Sequence, residues 1–139
     1  MMKNKLLEVE RIAQKYNETI LESATDEEIA KFKHWATYKH IPSEEYVQFV
    51  KLANGLDFNG LVVYSIKETD DNNIYNANEI WHENKNLMQY VIFSDSDIAW
   101  LCYDCDKSCF CELDKPSGTL MNTFSSFSEM MLLALEQIL

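Results

Sequence analysis

The chain has 139 residues, 47% of them hydrophobic and 25% charged, enough to bury a core and too balanced for a disordered segment. With 3 Gly and 2 Pro it is neither collagen-like nor of low complexity. Lys and Arg number 12 against 23 Asp and Glu, a net charge of −11, which speaks against gripping nucleic-acid phosphates or an anionic membrane; it serves either plain solubility or faster encounter with a basic partner.

The acidity is uneven: residues 1–50 carry a net −2 and residues 51–139 a net −9, so a basic partner should prefer the later part. The opening Met1–Glu10 breaks into charges before any apolar run reaches signal-peptide length. Met130–Leu135, the longest late apolar run, falls far short of the roughly 18 residues of a membrane span. These features predict a soluble, cytoplasmic protein of one domain, 1–139, monomeric or weakly dimeric.

Leu6, Val9, Ile12, Ala13 and Tyr16 recur at helical spacing over residues 4–17. Thr25 with Glu28 makes a capping box for a second helix, with Ile29, Phe32, Trp35 and Ala36 on one side. Pro42, Glu44 and Glu45 open a third, whose apolar face is Tyr46, Phe49, Val50 and Ala53 and which Asn54-Gly55 stops. The period then changes. Gly60–Ser65 is short and β-branched, a strand ended by the polar stretch Thr69–Asn73. Asn76 is placed to cap a short helix through Ile80 and Trp81 to about Asn86. Tyr90–Ser94, Ile98–Tyr103 and Ser108–Leu113 predict three more strands, the last two a hairpin turning near Asp106-Lys107. Lys115–Gly118 is turn chemistry, followed by an edge strand over Thr119–Phe124. Ser126 and Glu129 form another capping box, opening a helix with Met130, Leu133, Ala134, Leu135 and Ile138. Helices, a mostly antiparallel meander and a closing helix define an α+β fold.

Several clusters carry possible chemistry. Cys102, Cys105, Cys109 and Cys111 crowd one predicted hairpin, where four thiolates could hold zinc. The spacing of Cys109 and Cys111 is that of one strand face rather than a zinc half-site, so small buried thiols and a redox pair are the competing readings. His34, His40 and His82 form no recognisable acid–base or metal motif. Asp95 and Asp97, interleaved with Ser94 and Ser96, are either paired carboxylates or an Asx-type turn. Phosphate-binding loops and the G-x-S-x-G elbow are absent. Trp81, Trp100, Tyr64, Tyr90, Phe93 and Tyr103 gather in the meander, as core or as a recognition surface. No catalytic constellation stands out, and no cofactor is expected.

Three stretches together resemble the SUKH superfamily, nearest its bacterial YrhA-like branch. They are Tyr46–Gly55, then Ser94–Trp100 with Tyr103-Asp104, and Leu113–Gly118 with Thr123-Phe124 and Ser126-Phe127; Ala77–Trp81 adds to the likeness. The resemblance covers about residues 41–139, leaving 1–40 as a helical N-terminal extension. It implies a curved sheet flanked by helices and a non-catalytic role as an immunity protein, neutralising a basic, nuclease-type toxin domain by occluding its surface. A regulatory interaction domain of the same fold, or a thiol-based metal or redox protein using Cys102–Cys111, are the alternatives. By matching position, the resemblance implies partner contacts at Asp57, Trp81, Asp95, Asp97, Trp100 and Tyr103. Asn54, Gly55, Pro116 and Gly118 are expected to serve the backbone.

Overall fold

Six strands run antiparallel in one open sheet, each beside its neighbour in the chain: β1 Leu56–Phe58, β2 Leu61–Val63, β3 Tyr90–Asp95, β4 Ala99–Asp104, β5 Cys109–Asp114 and β6 Leu120–Phe124. Three helices precede the sheet, α1 Met2–Gln14, α2 Asp26–Lys39 and α3 Glu44–Leu52; α4 Ile74–Trp81 interrupts it and α5 Phe127–Ile138 closes it. This computed structural model describes residues 1–18 and 21–139. The architecture is the expected α+β one, with helices before and after an antiparallel sheet. Among the described residues no helix is long and apolar enough to cross a membrane.

The local signals operate as physical chemistry dictates. Thr25 accepts from the Glu28 amide while Glu28 accepts from the Thr25 amide, satisfying two free donors of α2 reciprocally. Gly55 has φ +91°, and a Cβ there would lie 2.9 Å from the Ser65 Cβ, so this position demands glycine twice over. Beside it the Asn54 side chain takes the Ile66 amide at 2.9 Å and reaches Glu28 at 3.2 Å, tying the end of α3 to two other segments.

The structure departs from the sequence expectations at several boundaries. Leu56–Phe58 is a strand, not a connection: Asn59 and Gly60, at φ 50° and 84°, fold it back on β2 in a tight hairpin. The cap of α4 is Asn73, whose side chain accepts from the Asn76 amide; Asn76 itself lies inside the helix. Helix α4 ends at Trp81, and Lys85–Leu87 is a separate 3₁₀ turn. At α5 the box is only half made. Ser126 accepts from the Glu129 amide, but the Glu129 carboxylate reaches Ser125 instead of Ser126.

The strand register assigns side chains to two faces. Val91, Tyr103 and Phe110 line one face; Ile92, Cys102 and Cys111, or Asp95, Trp100 and Leu113, line the other. Tyr46, Phe93, Phe110 and Phe127 close the first face beneath α3 and α5, with ring centroids 5.0 to 6.2 Å apart. Residues of α1 and α2 enter the same apolar cluster through Leu6, Val9, Ile29 and Phe32, so the first 40 residues share the core with the rest. Helix α4 lies at the second face.

Candidate functional site

Strand β2 ends at Val63, and the chain then leaves the sheet for the loop that leads to α4. Tyr64 bonds once more to β3, through the Phe93 carbonyl, and beyond it the edge of β3 has no strand beside it. Buried Asn78 supplies the missing pairing. Its amide donates to the Ile92 carbonyl at 2.9 Å and accepts from the Ile92 N–H at 2.8 Å, while also capping the Ile74 carbonyl. A buried backbone pair of this kind must be satisfied, and one side chain does it.

That clamp positions Trp81 one turn on, at the end of the sheet where three of the predicted site residues, Trp81, Asp95 and Trp100, meet. Trp81 Nε1 donates to Tyr64 Oη at 2.8 Å, and Tyr64 donates to Asp95 Oδ2 at 2.7 Å. The Trp81 and Trp100 rings pack edge to face at 5.3 Å. Lys115 Nζ lies 4.9 Å over Trp81, 5.9 Å over Trp100 and 3.9 Å from Asp95. Burial, then the bond to Asp95, holds the Tyr64 phenol neutral far above its ordinary pKa. Trp81, Asp95 and Trp100 are thus brought together around Tyr64 and Lys115. Asp95 and Trp81 are committed to internal partners, and Trp100, 3% exposed, keeps a buried Nε1 without a hydrogen-bond partner.

Lys115 also fixes the adjoining turn. Its ammonium donates to the Ser96 carbonyl at 3.2 Å and its amide to the Ile98 carbonyl at 2.9 Å. Two side chains remain outside this net: Asp97 is exposed, and Ile98 is 73% exposed. They stand at the mouth of a groove of about 270 Å³ between the end of the sheet and α5. Leu61, Leu101, Phe124 and Leu133 contribute its apolar lining, Asp97 and Glu112 its charges, and no Lys, Arg or His lines it.

The other expected residues lie apart. Asp57 projects from the centre of β1 to solvent. Tyr103, 7% exposed, packs on Phe110 at 5.0 Å beneath the helices. Asn54 and Gly55 hold the end of α3 as described above. Pro116, after a cis peptide bond, and Gly118 form the β5–β6 turn, closed by the Gly118 amide on the Asp114 carbonyl at 2.7 Å. Tyr64 is visible in the sequence only as one of the meander aromatics; Asn78 and Lys115 are missed as site residues, although each lies in a stretch the sequence marks, Ala77–Trp81 and the Lys115–Gly118 turn.

The four thiols do not converge. Cys102 and Cys111 oppose each other across β4 and β5, both buried, whereas Cys105 is exposed and Cys109 partly so. Burial pushes the Cys102 thiol up, and its hydrogen bond brings Cys111 down. Among the described residues no three His, Cys, Asp or Glu side chains are grouped to hold a metal. His82 Nε2 is hydrogen-bonded to the Tyr90 carbonyl at 2.7 Å. Neither a scan against protein-family models nor a search of curated proteins returns a match.

Proposed function

We propose that this chain is a non-catalytic, acidic protein-binding module of the SUKH kind. It serves as an immunity protein that holds a basic, nuclease-type toxin domain against the β3–β4 turn and occludes the surface where phosphate would lie. One observation carries the reading: an apolar groove edged by Asp97, Ile98 and Glu112, with no cationic lining. An exposed aliphatic anchor beside carboxylates offers both contact area and electrostatic steering to a partner of opposite charge. Most of the net charge of −11 belongs to residues 51–139, the part that builds this end of the sheet. Trp81, Asp95, Trp100 and Lys115 act here as the support that fixes the turn, and Asp97 and Ile98 as the contacts.

The test is capture from the native host's lysate under reducing conditions, with salt stepped upward. Wild-type protein should retain a basic nuclease at low salt, release it at high salt and inhibit it stoichiometrically. The double substitution Asp97→Lys with Ile98→Glu, at exposed positions, should slow association at least about tenfold, since steering of this kind acts on the on-rate. A retained protein without nuclease activity overturns the immunity role. Retention unchanged by the double substitution removes the groove from the interface.

A further inference from the structure

The two edges of the sheet are finished differently. β1 is three residues long and carries the charge of Asp57 at its centre. β6 has five residues, four exposed and Phe124 half-buried, and among the described residues it pairs only with β5. Edge strands ordinarily carry a lysine, a proline or an inward charge that discourages further pairing. β6 has none of these. From Pro116 to Ser128 no residue is charged, in a chain where 25% of residues are.

One irregularity marks where a new strand could lie. In the β5–β6 ladder Glu112 pairs with Asn122 and Leu113 with Leu120, so Met121 is an extra residue and bulges. Met121 is 57% exposed and Leu120 49%. The stretch from Asn122 to Phe124 remains regular.

We infer that β6 is a self-pairing edge, along which two copies of this chain join antiparallel about a two-fold axis at Thr123. The register places Asn122 opposite the Phe124 of the second copy and Thr123 opposite itself, a contact identical on both sides as two-fold symmetry requires. Charge decides between a second copy and a basic partner. Two molecules at −11 repel least where they meet through residues without charge, and Pro116–Ser128, with β6 inside it, is such a stretch. A basic partner finds no carboxylate on β6 itself to pair with. The carboxylates that border the stretch are all engaged with it: Glu112 accepts from Asn122 Nδ2 at 2.7 Å, Asp114 from Ser117 at 2.6 Å, Glu129 from Ser125 and Glu45 from the Ser128 amide at 2.8 Å.

Salt separates this contact from the groove. Screening should strengthen association between two acidic copies and weaken that with a basic partner. Sedimentation velocity over a concentration series should reveal a monomer–dimer equilibrium that shifts toward dimer as salt is added. Thr123→Glu places two carboxylates face to face at the axis and should raise the dimer Kd at least about tenfold. Tyr38→Glu adds the same charge on α2, at a residue 76% exposed, and should leave the Kd within about twofold. Near-ultraviolet circular dichroism checks that both variants stay folded. A monomer at every concentration in high salt overturns the inference. So does a dimer that Thr123→Glu leaves intact, or one that Tyr38→Glu weakens equally.

Discussion

The two faces of the sheet are sealed by different chemistry. Under α3 and α5, Tyr46, Phe93, Phe110 and Phe127 meet ring against ring, and the contact between them is carbon on carbon. Toward α4, the seal is a chain of directed bonds, from Asn78 on Ile92 to Trp81, Tyr64, Asp95 and Lys115. Dispersion tolerates small displacements and degrades gradually, whereas a buried hydrogen bond is either made or leaves a desolvated group behind. The first face therefore supplies stability in bulk. The second fixes the geometry of one end of the sheet, where Asp97 and Ile98 are presented.

Removing the central ring of the aromatic face should have the largest effect. Phe127 is 2% exposed and touches Tyr46, Phe49, Phe93 and Phe110. Phe127→Ala should cost about 3–5 kcal/mol, read as a lower urea midpoint. The groove depends on α5 as well, so partner retention should fall with it. Asn78→Ala attacks the other face and should cost about 2–3 kcal/mol, because it strands the N–H and C=O of Ile92. Native-state hydrogen exchange at the Ile92 amide should accelerate well beyond the global change. An unchanged exchange rate there would mean that packing, not the amide clamp, holds this face.

These two faces were unequally legible in the sequence. The aromatic face follows from periodicity: Tyr46 and Phe49 on a helical stripe, Phe93 and Phe110 within β-rich runs, Phe127 after a Ser cap. Local signals of that sort act within a few residues and survive folding unaltered. The hairpin missed at Leu56–Phe58 carried such a signal too, since Asn59-Gly60 is the dipeptide that suits two successive left-handed residues. The cap of α4 was misplaced because Asn73 and Asn76 present the same chemistry three residues apart, and the choice between them is made by contacts. Asn73, buried, donates to the carbonyls of Glu68 and Asp70 and so anchors the whole preceding loop. The α4 face itself was illegible for a physical reason. An asparagine replacing a strand's hydrogen bonds makes sense only once β2 has been seen to stop, and that is a tertiary fact. Trp81, Asp95 and Trp100 could be chosen as a set, but their joining through Tyr64 and Lys115 could not be read from spacing.

The smallest effect tests how the polar face is divided between support and contact. Tyr64 Oη accepts from Trp81 and donates to Asp95, so Tyr64→Phe leaves Trp81 Nε1 and one carboxylate oxygen short of a partner. The expected loss at pH 7 is about 1–2 kcal/mol. Its pH dependence has a definite sign. Burial first, then the Asp95 bond, raises the Tyr64 pKa in the folded state, so its contribution is complete below the free tyrosine value of about 10. It is lost as pH rises beyond that, because the unfolded chain ionises Tyr64 and the folded one does not. The phenylalanine variant lacks this proton, so the stability gap between the two proteins should close above pH 10. Urea titrations at pH 7, 9 and 10.5 measure it. A gap that stays constant would mean that Tyr64 meets solvent, and a closing gap with partner association unchanged would separate the support beneath the turn from Asp97 and Ile98 upon it.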